Sequence, residues 1–152
     1  MSSSIAAAPI AFTRSDQLAT DEAFLAVALA AVSWDGVLTP AGTRALRHAI
    51  DYRLPFSQRP ETDVALMIDG LLGRLRQQGA QQLMLEAGAV LSPALRRTAY
   101  ASAAEIMRSD GPLQPDERNI LATLAITLEL PPTDSDTILE VMDLLHAPLL
   151  EN

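Results

Sequence analysis

The sequence predicts an all-α fold, and three features of its 152 residues predict it. Aromatics are only 4% of the chain and much of the 49% apolar share is alanine, a composition that suits closely packed helices and starves a β-sandwich or barrel. Apolar residues recur at helical spacing in one segment after another. No segment shows strand alternation flanked by hairpin turns.

Punctuation divides the chain into seven helices. The first runs from about Asp16 to Ser33 and is apolar nearly all round, with Phe24, Leu25, Val27, Leu29 and Val32, so it belongs at the centre. Thr39 caps the second, Pro40 takes its first position, and Leu46 and Ile50 mark its inner face on the way to about Arg53. After a polar linker from Ser57 to Pro60, a third helix carries Val64, Met67, Ile68, Leu71 and Leu75 and stops at Gly79. A short fourth covers roughly Gln81 to Val90. Ser92-Pro93 opens a fifth, alanine-rich like the first, that ends near Arg108. Pro115 opens the sixth, with Ile120, Leu121, Leu124 and Leu128 inside. Thr133 or Asp134 caps the seventh, whose inner residues are Ile138, Val141, Met142 and Leu145.

The chain also repeats itself. Ala28, Asp35, Gly36, Leu38, Pro40 and Leu46 match Ala103, Asp110, Gly111, Leu113, Pro115 and Leu121, each pair 75 positions apart. Each copy reads as an alanine-rich helix, an Asp-Gly-x-Leu-x-Pro turn, a second helix and a Leu-Pro stop. Two similar halves, about residues 21–56 and 96–131, are expected within one domain over 15–152, preceded by a loose N-terminal arm at 1–14.

Composition excludes several chemistries. The chain has no cysteine, and all 11 basic residues are arginine, so disulfides, thiolate metal sites, Schiff bases and P-loop lysines are impossible. Residues 1–100 are electrically balanced. Residues 101–152 hold ten carboxylates against Arg108 and Arg118, which places the whole net charge of −8 there. That acidic third repels phosphate backbones, arguing against nucleic acid, and suits either a solvated surface or a basic protein partner. The uncharged run from Ala23 to Trp34 is too short to span a bilayer, and no basic residue precedes Arg14 as a secretory signal would need. A cytoplasmic location is expected.

At the repeated turn the sequence resembles a known family. The stretch from Ala103 to Arg118, with Asp110-Gly111, Leu113, Pro115 and Asp116-Glu117, is similar to the turn of tellurite-resistance TerB-like proteins. The stretch from Ala30 to Pro40 resembles the same turn in the first half, and the likeness extends over about Phe24 to Leu145. The resemblance implies an all-helical fold of two halves and a link to tellurite and stress resistance. It also implies a divalent cation at acidic positions that correspond to Asp35, Asp110 and Glu117, with Asp116 beside them as a further candidate ligand. Carboxylate oxygens suit calcium or magnesium rather than zinc. The first half departs from the pattern, with Ala41 and Gly42 where the second has Asp116 and Glu117.

The same residues have a structural reading. Gly36 and Gly111 suit the left-handed conformation that ends a helix, and Asp35 and Asp110 can accept from backbone donors in the turn. Asp116 and Glu117 sit where the helix macrodipole favours negative charge. An EF-hand is excluded, because its first and third ligand positions fall on Ile106 and Arg108. His48 and His146 lack the spaced partners of a zinc site. Glu105, Asp110 and Asp116 are placed to cluster at one helix junction. Asp136, Glu140 and Asp143 share a face of the last helix, as a solvated surface or a docking strip. The expected function is a non-enzymatic, stress-associated TerB-like module that binds a partner protein, a cation or both. The alternatives are a metal-dependent enzyme at the acidic junction and a structural homodimer.

Overall fold

The computed structural model describes residues 17–150 and holds seven α-helices and no strand among them. They are α1 (Thr20–Val32), α2 (Pro40–Ile50), α3 (Glu61–Gln78), α4 (Ala80–Val90), α5 (Pro93–Arg108), α6 (Pro115–Thr127) and α7 (Pro132–Leu145). The arm expected at 1–14, and the start of the first helix at Asp16, lie outside the described residues.

α1 is the axis of the fold. Every residue from Ala23 to Ala31 is buried, and the helix packs most extensively against α4 and α5. Small side chains suit this packing: Ala28 on α1 and Ala103 on α5 are both buried in the same core as Leu25 and Leu29. Truncating a leucine in such a site costs about 2–5 kcal/mol, because a rigid surround leaves a cavity.

Two of the expected caps are formed. Thr39 Oγ1 accepts from the Gly42 amide at 3.0 Å, and Ser92 Oγ accepts from the Leu95 amide at 3.2 Å, with proline at the first position of both helices. The third is not. α7 begins at Pro132 rather than after Thr133 or Asp134, and no side chain caps it. Asp134 instead lies 3.8 Å from Arg97. α2 stops at Ile50, three residues short of Arg53, and a 3₁₀ turn at Phe56–Gln58 buries Phe56 within the stretch before α3.

The inner stripe of α7 also differs from expectation. Ser135 and Met142 are buried, with Ile138 and Leu139 partly so, whereas Val141 and Leu145 are exposed. α7 packs chiefly on α5, and a single neighbour covers a narrower stripe than a helix enclosed on several sides.

α6 ends without glycine. Glu129 takes a left-handed conformation (φ 59°) while the Leu130 amide reaches Ala125 O and the Glu129 amide reaches Ile126 O, both at 3.0 Å. That is the hydrogen-bond pattern of a Schellman cap, formed here at some steric cost by a residue with a Cβ.

Candidate functional site

The two Asp-Gly turns open onto one cleft of about 600 Å³. Asp35 reaches it from the turn after α1, Asp110 from the turn after α5, and Asp116 and Glu117 from the first turn of α6. All four residues suggested by the resemblance therefore line the same space. Among the described residues no arginine or histidine does. Trp34, Ile106, Met107 and Ile120 add apolar lining to the cleft.

Local chemistry builds each turn, and it differs between them. Gly36 (φ 85°) and Gly111 (φ 131°) both occupy positive φ, which a side chain would resist. Leu38 packs against the core and Leu113 is buried in it, so the leucine of each motif anchors its turn. In the first turn Asp35 Oδ1 accepts from the Val37 amide at 3.1 Å, and the Gly36 carbonyl accepts from Arg76 Nε at 2.9 Å. The second turn cannot copy this, because the residue two after Asp110 is Pro112, which has no amide hydrogen. The backbone bond expected for Asp110 does not form. Asp110 and Asp116 have no side-chain hydrogen bond or ion pair among the described residues.

The departure at Gly42 has a structural cause. In the second half Glu117 Oε1 reaches back to accept from the Gln114 amide at 2.9 Å, satisfying the start of α6. In the first half Thr39 does the capping, and the amide of Gly42 is its donor. A Cβ on Gly42 would sit 3.2 Å from Thr39 Oγ1 and 3.5 Å from Leu38 and Val32 carbons. Glu117 thus serves the Gln114 amide through its side chain, whereas Gly42 contributes only its own amide, as the donor to Thr39 Oγ1.

The expected cluster of Glu105 with Asp110 and Asp116 is not formed. Glu105 lines a different groove, where its Oε2 lies 2.8 Å from His146 Nε2. The strip of Asp136, Glu140 and Asp143 is exposed on α7, but Asp143 is committed: its Oδ1 accepts from Nε of buried Arg108 at 3.0 Å.

Oxygen donors of this kind suit hard cations such as calcium or magnesium. Among the described residues, however, no three carboxylates or histidines converge as a ready-made metal cage, so water would have to complete the coordination shell. Four carboxylates around a cavity that no cationic side chain lines among the described residues also focus negative potential into it. Reasoning from sequence missed the apolar wall of Trp34 and Met107, although Trp34 directly precedes the first Asp-Gly pair. No helix among the described residues is long and apolar enough to cross a membrane. The chain matches no protein-family model, and no curated protein or solved structure aligns with it significantly.

Proposed function

We propose that the chain is a TerB-like, non-enzymatic module of stress and tellurite resistance whose acidic cleft takes a hard divalent cation. One observation carries the reading. Asp110, denied a backbone donor by Pro112, lines the cleft with Asp116, and neither carboxylate has a protein partner among the described residues. Capping and turn formation account for Asp35 and Glu117, and the helix macrodipole favours Asp116 where it stands, but Asp110 has no such structural role. Two carboxylates completed by water give weak affinity and favour calcium or magnesium over zinc.

A protein partner belongs to the same proposal, at α7. Val141 and Leu144 are exposed on that helix together with Asp136 and Glu140, a mixture that suits a basic, amphipathic partner helix.

Calorimetric titration of metal-stripped protein with calcium, magnesium, manganese and zinc tests the cation reading. Glu117→Gln is the informative variant, since glutamine keeps the reach-back bond to Gln114 while removing the charge. The parent should bind calcium or magnesium, and the variant should bind several-fold more weakly. Equal binding by the two would remove Glu117 from the site, and no heat with any of the four ions would overturn the proposal.

A further inference from the structure

A second groove, of about 1050 Å³, lies between α2, α5 and the C-terminal end of α7, and its electrostatics oppose those of the acidic cleft. Arg44, Arg47 and Arg53 line it with both histidines of the chain, against two carboxylates, Asp51 and Glu105. Those carboxylates are engaged: Asp51 Oδ1 accepts from Arg47 Nε at 2.9 Å, and Glu105 faces His146 at 2.8 Å. Arg44 and Arg53 have no carboxylate at ion-pairing distance among the described residues. A protein of net charge −8 with 19 carboxylates thus keeps two uncompensated guanidinium groups in one concavity.

Arg53 is also held in place. Its guanidinium carbon lies 5.3 Å from the centroid of the Phe24 ring and 5.2 Å from that of Tyr52. Nε donates to the Ala49 carbonyl at 3.3 Å, and Nη2 donates to Oγ of buried Ser102 at 3.4 Å. These contacts fix the guanidinium before any ligand arrives, which lowers the entropic cost of binding. A guanidinium presents paired N–H donors that match two oxygens of a phosphate, and Arg44 brings a second full charge to the same groove. Apolar surface from Ala45, Ala49, Ala101 and Met142 lies alongside, in a volume suited to a small molecule.

We infer that this groove binds a phosphorylated small molecule, with its phosphate on Arg53 and Arg44 and its organic part against the apolar wall. The strongly acidic C-terminal third disfavours a long nucleic-acid strand, which would have to cross repelling surface, and leaves a compact anion as the occupant. The inference is independent of the cation reading, because no residue suggested for the cation lines this groove.

Calorimetric titrations without divalent ions, using inorganic phosphate, pyrophosphate, AMP and succinate as probes, test it. AMP should bind more tightly than inorganic phosphate, and pyrophosphate more tightly than succinate. Arg44→Gln should weaken AMP and pyrophosphate by about tenfold or more, the loss of one charge-assisted contact. Arg53→Gln should do at least as much, and Arg44, exposed and without a partner, keeps the test valid if that variant fails to fold. Arg47→Gln, whose guanidinium already serves Asp51, should change affinity by less than about threefold. Absence of saturable binding by AMP and pyrophosphate would overturn the inference. So would equal affinities for parent and Arg44→Gln, or tighter binding of succinate than of pyrophosphate.

Discussion

Asp143→Ala is expected to destabilise the fold by about 1.5–3 kcal/mol, the range for a hydrogen bond to a charged group. Arg108 is buried to 7% exposure at the end of α5, and Asp143 on α7 is its carboxylate partner, 3.0 Å from Nε. Removing one partner of a fully buried pair costs about 3–5 kcal/mol, because a charge is left uncompensated in a poorly solvated site. Here the Asp143 side chain is 61% exposed, so water reaches the guanidinium edge once the carboxylate is gone, and the lower range applies. For a domain of this size the loss corresponds to a fall in Tm of roughly 4–10 °C. Thermal and urea unfolding of Asp143→Ala, Asp143→Asn and Asp136→Asn provide the assay. Asparagine keeps an acceptor for Arg108 and should fall between parent and alanine, while Asp136→Asn should stay within about 0.5 kcal/mol of the parent. If Asp143→Ala unfolds within about 0.5 kcal/mol of Asp136→Asn, the pair does not hold α7 to α5 and the reasoning fails.

Other substitutions probe packing and conformation. Gly88→Ala would place a Cβ 2.9 Å from Leu128 Cδ2 in the core, just past the end of α6. Overpacking of about 1–3 kcal/mol, offset by about 0.5–1 kcal/mol of helix propensity, should leave a net loss of up to about 2 kcal/mol in chemical denaturation. Glu129→Gly should raise stability by about 0.5 kcal/mol or more in the same assay. It relieves the left-handed φ of 59° and sacrifices only a bond from Arg96 to a carboxylate that is 77% exposed. Burial, reinforced by the charge of Asp136, pushes the Tyr100 phenol up to about 12, so the unfolded chain ionises first as pH rises. The Tyr100 contribution is therefore intact below about pH 10 and falls progressively between there and pH 12, by up to about 2–3 kcal/mol. Tyr100→Phe should flatten that alkaline decline in pH-dependent unfolding, and a variant that declines as steeply as the parent would rule out the assignment.

What could be read from sequence was local. Thr39 and Ser92 announce caps because the bond runs only three residues along the chain, to Gly42 and Leu95. The burial of α1 follows from a run with no polar side of any width, and the four acidic residues of the cleft were named by motif. Contacts between distant segments were not legible. The face shared by Asp136, Glu140 and Asp143 shows in their spacing, but that Asp143 serves Arg108 depends on how α7 lies across α5. The same holds for Glu105, whose partner His146 is 41 residues away. Helical period locates an apolar stripe without telling how wide a neighbour covers it, which is why Val141 and Leu145 were misplaced. Asp110 stands between the two cases. Its freedom follows from Pro112, two residues on, once the turn is seen to require an amide at that place.

The cation reading is tested most directly by adding substoichiometric manganese to isotope-labelled, metal-stripped protein and recording amide signals. A bound paramagnetic ion broadens nearby resonances and so reports position as well as binding. Amides of residues 109–120 should broaden first, followed by those of 34–42 across the cleft, with the N-terminal turns of α3 least affected, and excess magnesium should restore the signals. Uniform broadening over the acidic surface of α7, or none in residues 109–120, would contradict a cation held between the two Asp-Gly turns.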